Sequence, residues 1–144
     1  MDTSEAAVGS NSAYSTGYIP TLVIIDPDGY IVHRDAGVHT KQELLGYIDD
    51  IADGTAENLG AAPDFTLTTL NDETFKLSDY QGKTVVLDFM AARCLPCHQQ
   101  MPELQALKEE KADEVVILSI DTDGAYGMET EQDVTNTFGE YIKE

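Results

Sequence analysis

Three stretches of this chain constrain its fold more than anything else. Thr21-Leu22-Val23-Ile24-Ile25, Thr84-Val85-Val86-Leu87-Asp88-Phe89 and Val115-Val116-Ile117-Leu118-Ser119-Ile120 are apolar and rich in β-branched residues. A strand with one wet face alternates apolar and polar residues, so an unbroken apolar run marks a strand buried on both faces. Helical patterns lie among these strands. Thr40 and Glu43 have capping-box spacing, and Leu44, Leu45, Ile48 and Ile51 recur on one helical face, which predicts a helix over 41–52. A second helix is expected from within the Cys94–Cys97 segment to about Lys111, with Pro96 tolerated in its first turn and Pro102 kinking its interior. A third is expected over 130–144. Strands mixed with helices in this way give the α/β class, a layered sheet flanked by helices.

Turn chemistry sets the smaller units. Asp26-Pro27-Asp28-Gly29 turns the first strand back into Tyr30–Arg34, a hairpin. Asn71-Asp72 sits between Phe65–Leu70 and Thr74–Leu77, which read as a second hairpin. Residues 54–61 are small and polar and read as a linker, and residues 1–17 read as loop.

The 144 residues suffice for one domain with a real core. Twenty-seven acidic residues against eight basic ones leave a net charge of −19, a field that repels nucleic acid and anionic lipid. The plain reading of that charge is a solvated acidic surface, suited to high salt. Residues 1–10 have neither a basic n-region nor an apolar h-region, so no secretion signal is expected within them.

The two cysteines, Cys94 and Cys97, close too short a loop to staple a fold. They therefore mark a site, either redox or half of a metal centre. A strand running into a loop, with a helix starting at the cysteines, puts the Cys94 sulfur at a helix N-terminus. Backbone N–H groups there favour the thiolate, and Arg93 adds a positive charge beside it. Cys94 is then the nucleophile of thiol–disulfide exchange and Cys97, one turn on, the resolving thiol. Asp88 is a carboxylate in an apolar strand. Burial should raise its pKa towards neutrality, where it could take the proton of Cys97; the alternative is a strand edge facing water.

A metal reading joins Cys94 and Cys97 to His33 and His39. The histidines precede the cysteines, around a strand end, and Pro96 suits a redox motif better. A non-catalytic binding domain is the other alternative.

Asp88-Phe89-Met90-Ala91 followed by Cys94-Leu95-Pro96-Cys97, with Pro102 in the helix, resembles the active-site stretch of the thioredoxin superfamily. Ala62-Pro63-Asp64-Phe65-Thr66-Leu67 and Leu77-Ser78-Asp79-Tyr80-Gln81-Gly82-Lys83 are similar to the opening of its TlpA/ResA-like branch. Gly17-Tyr18-Ile19-Pro20-Thr21 resembles the family's cis-proline segment. The resemblance implies a thioredoxin fold, a central mixed β-sheet flanked by helices, with a β-hairpin extension. It implies a cis Pro20 packed against the cysteines, the Ile19 backbone binding an extended substrate, and Arg93, Leu95 and Pro96 on the substrate-facing surface. It also implies reduction of protein disulfides outside the cytoplasm, fed by a membrane electron donor such as a CcdA-like protein, with no cofactor beyond the Cys94–Cys97 disulfide. The chain departs from the family in having Arg93 where a tryptophan usually precedes the first cysteine, and Met90 where an aromatic is common. The lysine that pairs with the buried acid in thioredoxin is replaced, on this alignment, by Ile117.

In the family the cysteines precede the cis-proline, and here Pro20 precedes Cys94. Residues 1–53 match the family's C-terminal half and 62–144 its N-terminal half, joined through 54–61. A circular permutation within one monomeric domain over 1–144 is the simplest account. A fragment of two tandem domains and a domain-swapped dimer are the others.

Overall fold

The computed structural model describes residues 20–56, 58–68, 74–90, 95–111 and 113–121. Seven elements follow the apolar runs closely: β1 Thr21–Ile25, β2 Ile31–Ala36, α1 Lys41–Asp53, β3 Thr66–Thr68, β4 Thr74–Lys76, β5 Thr84–Met90 and α2 Leu95–Lys111. A further strand, β6, spans Val115–Asp121, and a 3₁₀ turn covers Leu77–Tyr80. The helix expected over 130–144 and the loop over 1–17 lie outside the described residues. Among the described residues no helix is long and apolar enough to cross a membrane.

Among the described residues four strands form one sheet in the order β2-β1-β5-β6. β1 is antiparallel to both β2 and β5, and β5 is parallel to β6, so the sheet is mixed. The residues of β1 and β5 are buried throughout, as unbroken apolar runs require. Each strand alternates between two cores. Val23, Ile25, Val85, Leu87, Phe89 and Ile120 face the layer built by Phe65, Phe75 and Leu77. Leu22, Ile24, Val86 and Val115 face the helices, meeting Leu44 and Ile48 of α1 and Leu104 and Leu107 of α2. β3 and β4 pair antiparallel as a separate two-stranded sheet.

Helix α1 begins and ends on local chemistry. The Thr40 hydroxyl accepts the Glu43 N–H at 3.2 Å, as the spacing predicts. The Glu43 carboxylate takes the Thr40 hydroxyl at 3.4 Å, so the reciprocal half of the capping box closes on the side chain. Gly54 caps the other end at φ 74°, a left-handed conformation that glycine adopts without a Cβ penalty. Helix α2 holds α1 from the side: Glu103 accepts the Lys41 N–H at 2.8 Å, and Glu110 pairs with the Lys41 ammonium at 3.3 Å.

The stretch read as a linker is hydrogen-bonded into the fold. Ile31 donates to the Gly60 carbonyl and accepts from Leu59, Ala61 bridges Tyr30, and the Ala62 N–H reaches the Gly29 carbonyl. A small, polar composition suits a loop and equally suits backbone laid along a strand, which needs no particular side chain.

Candidate functional site

Strand β5 ends at Met90 and α2 starts at Leu95, so four residues connect the central strand to the helix that carries Cys97. Cys94 and Arg93 fall in that connection, outside the described residues. Cys97 is the third residue of α2, is fully buried, and is disulfide-bonded. The one other cysteine in the sequence is Cys94.

Asp88 lies opposite Leu22 on β1, whose side chain belongs to the helix-facing core. Cross-strand partners share a face, so the Asp88 carboxyl points into the layer that holds α2. It is 0 % exposed, which excludes the alternative of a strand edge facing water. Its Oδ2 accepts the Ser119 hydroxyl at 3.1 Å, and its Oδ1 has no hydrogen-bond partner among the described residues. Burial raises its pKa to about 7, against the smaller lowering effect of the Ser119 hydrogen bond. Ile117 sits opposite Val86, and Ser119 is the β6 residue opposite Asp88. Ser119 thus offers the acid a neutral hydroxyl from directly across β6.

Two apolar side chains next to Cys97 face solvent. Leu95 is 70 % exposed and Pro96 is exposed, both in the first turn of α2. Pro20 is buried just before β1, and its carbonyl accepts the Gly37 N–H at 2.8 Å, so that carbonyl is already engaged. Ile19 lies outside the described residues.

His33 and His39 meet each other, with ring nitrogens 3.1 Å apart. Among the described residues Asp35 is the metal-ligating side chain grouped with them. Sequence reasoning also missed Gln100, which is fully buried and bonded to the His39 backbone in both directions. A glutamine at a helical core position was the available signal.

The AhpC/TSA family model matches residues 60–138. The chain is 44 % identical over 59 residues to a thioredoxin-like protein, YneN of Bacillus subtilis (strain 168), covering 41 % of this chain and 35 % of the relative. It is 36 % identical over 78 residues to the thiol-disulfide oxidoreductase ResA of Geobacillus kaustophilus (strain HTA426), covering 51 % and 45 %. It is 35 % identical over 103 residues to the ResA protein of Bacillus thuringiensis subsp. konkukian (strain 97-27), covering 69 % and 52 %. The chain thus spans about a third to a half of the length of the curated relatives it matches. No solved structure gives a significant match.

Proposed function

We propose, on the premise that this chain belongs to the AhpC/TSA family of thioredoxin-like proteins, that it reduces protein disulfides through Cys94 and Cys97. The observation that carries the reading is a disulfide-bonded, fully buried Cys97 in the first turn of a helix, served by a strand whose buried acid has its pKa near 7. The relatives named thiol-disulfide oxidoreductase point to the same chemistry.

In the proposed reaction the Cys94 thiolate attacks one sulfur of a substrate disulfide. That S–S bond breaks, and the substrate thiolate released takes a proton from water. The Cys97 thiol then gives its proton to the Asp88 carboxylate and attacks the Cys94 sulfur, expelling the second substrate sulfur as a thiolate. Two electrons have passed to the substrate, and the chain is left as the disulfide. A proton acceptor with a pKa near 7 is matched to work near neutral pH. Leu95 and Pro96 supply an apolar landing surface, Arg93 supports the thiolate, and the Ile19 backbone beside Pro20 aligns the substrate strand. A membrane dithiol donor of the CcdA-like kind, outside the cytoplasm, would return the electrons.

The permuted order of halves belongs to this proposal. It is supported by the sheet order β2-β1-β5-β6, in which the hairpin following Pro20 lies against the strand leading to the cysteines. Full activity in a monomer favours permutation. Activity confined to a dimer favours swapped halves.

The deciding experiment is a redox titration of the dithiol against glutathione or dithiothreitol buffers. A midpoint at or below about −240 mV supports a reductant, and one near −120 to −180 mV makes the protein an oxidant or isomerase instead. The absence of a reversible two-electron transition overturns the reading.

A further inference from the structure

The second cluster of chemistry-bearing side chains lies at the end of β2. His33 Nε2 and His39 Nε2 are 3.1 Å apart. The His39 Nδ1 lies 3.0 Å from the Gly37 carbonyl oxygen. A carbonyl only accepts, so Nδ1 carries the hydrogen, and Nε2 of the neutral ring is a lone pair aimed at His33. Two imidazole nitrogens facing each other at this distance hold either a shared proton or a shared cation between them. Asp35 adds a third donor: the three residues offer one ligand atom each, all within 4.8 Å of one another. Strand alternation explains the grouping, because residues 33 and 35 of β2 share a face.

The cluster is braced from outside. Gln100 fixes the His39 backbone through both of its polar groups, at 2.7 and 2.8 Å. The His33 ring stacks on Tyr47 with centroids 3.9 Å apart and stands edge-on to His39. The Asp35 carboxylate accepts the Ala36 N–H at 2.9 Å, which orients it. Outer hydrogen bonds of this kind, above all from the far nitrogen of a histidine to a carbonyl, are what hold metal-ligating rings in place. A tetrahedral zinc with bonds of about 2.0–2.1 Å needs ring nitrogens roughly 3.3 Å apart, a few tenths of an ångström from the spacing here. The local field is negative: Glu43, Asp35 and Asp50 all act on Tyr47. His39 is buried, His33 half-buried and Asp35 exposed, so a bound ion would keep a coordination position open to water.

We propose that His33 Nε2, His39 Nε2 and a carboxylate oxygen of Asp35 form a binding site for one divalent transition-metal ion of the zinc type. The site shares no residue with the cysteine pair and stands independently of the redox reading.

The test uses the full chain with its disulfide intact, checked by the absence of titratable thiol, so that cysteine cannot bind the probe. Equilibrium dialysis against Zn²⁺ should give one ion per chain with micromolar or tighter affinity. His33→Ala should weaken binding at least 100-fold, and Asp35→Asn, at an exposed position that leaves folding untouched, about tenfold. Imidazole ¹⁵N spectra should show both Nε2 resonances shifting on Zn²⁺ addition while His39 Nδ1 keeps its proton. Co²⁺ should give ligand-field bands without a thiolate charge-transfer band. Failure of the wild-type chain to bind Zn²⁺ stoichiometrically overturns the site. So does binding that survives both substitutions, or imidazole resonances unmoved by the ion.

Discussion

Gln100 grips the backbone of His39 from both sides, accepting its N–H at 2.7 Å and donating to its carbonyl at 2.8 Å. The pairing spans 61 residues of sequence and fastens the loop between β2 and α1 to the helix that carries Cys97. Because Gln100 is fully buried, water cannot replace what it supplies. Gln100→Leu should therefore lose two hydrogen bonds and strand two backbone groups, a destabilisation of roughly 2–5 kcal/mol. Gln100→Glu should fall between at low pH, where a protonated carboxyl can both accept and donate, and should be destabilised further as rising pH ionises the buried acid. Urea unfolding midpoints of the three proteins test the order.

Asp88 should make the fold less stable as pH rises. Its native pKa of about 7 lies above the unfolded value near 3.8, so the native state binds the proton more tightly throughout that interval. The stability it contributes is complete below about pH 4 and is lost as pH rises through 7, on the order of 4 kcal/mol at full ionisation. Asp88→Asn should flatten this dependence, so that the variant outlasts the wild type in urea at pH 8.5 but has no such advantage at pH 4. In the proposed reaction the same substitution should slow resolution of the mixed disulfide about 10²-fold. Equal pH dependence of unfolding in both proteins would contradict the burial argument.

Ser119→Ala removes the hydrogen bond that favours the ionised Asp88. The Asp88 pKa should then rise further, and the pH profile of disulfide resolution should move to higher pH. A stopped-flow profile measured beside the wild type shows the direction. A shift to lower pH would mean that the hydroxyl stabilises the protonated acid instead.

Leu95→Glu places a charge on an exposed apolar side chain in the first turn of α2. Its effect on unfolding should stay within about 0.5 kcal/mol. Turnover of a protein disulfide should fall several-fold while that of a small disulfide such as oxidised glutathione changes little. Equal losses on both substrates would show that Leu95 acts on the dithiol itself and not on substrate docking.

The net charge of −19 predicts self-repulsion that salt relieves. Raising sodium chloride from 0.05 to about 1 M shortens the screening length to about 3 Å. The Tm should climb by several degrees. A flat Tm would mean that the acidic side chains are too widely spaced to repel.

The strands and helices are legible because burial on two faces and helical spacing leave local signatures. β1, α1, β5 and α2 stand within a residue or two of where their apolar patterns put them. Lateral order leaves no such signature. Nothing local says that Asp88 lies opposite Ser119, because strand register is set by the packing of whole layers. Gln100 was hidden for the same reason: a buried amide is recognised by its partner, and the partner is 61 residues away. Asp35 was readable, since alternation along β2 places it on the face of His33.

The contact of residues 59–62 with the start of β2 has a consequence for how the protein behaves in a crowd. Among the described residues β2 is the outer strand of its sheet, and an outer strand with unpaired N–H and C=O groups invites another chain to add to it. Here the first part of that edge is occupied by the chain's own Leu59, Gly60 and Ala61. Further along, the exposed Arg34 and Asp35 would have to be carried against any incoming strand. Severing the junction by proteolysis near Asn58 would therefore uncover a sticky edge, and the nicked protein should form fibrils or soluble aggregates at concentrations where the intact chain stays dispersed.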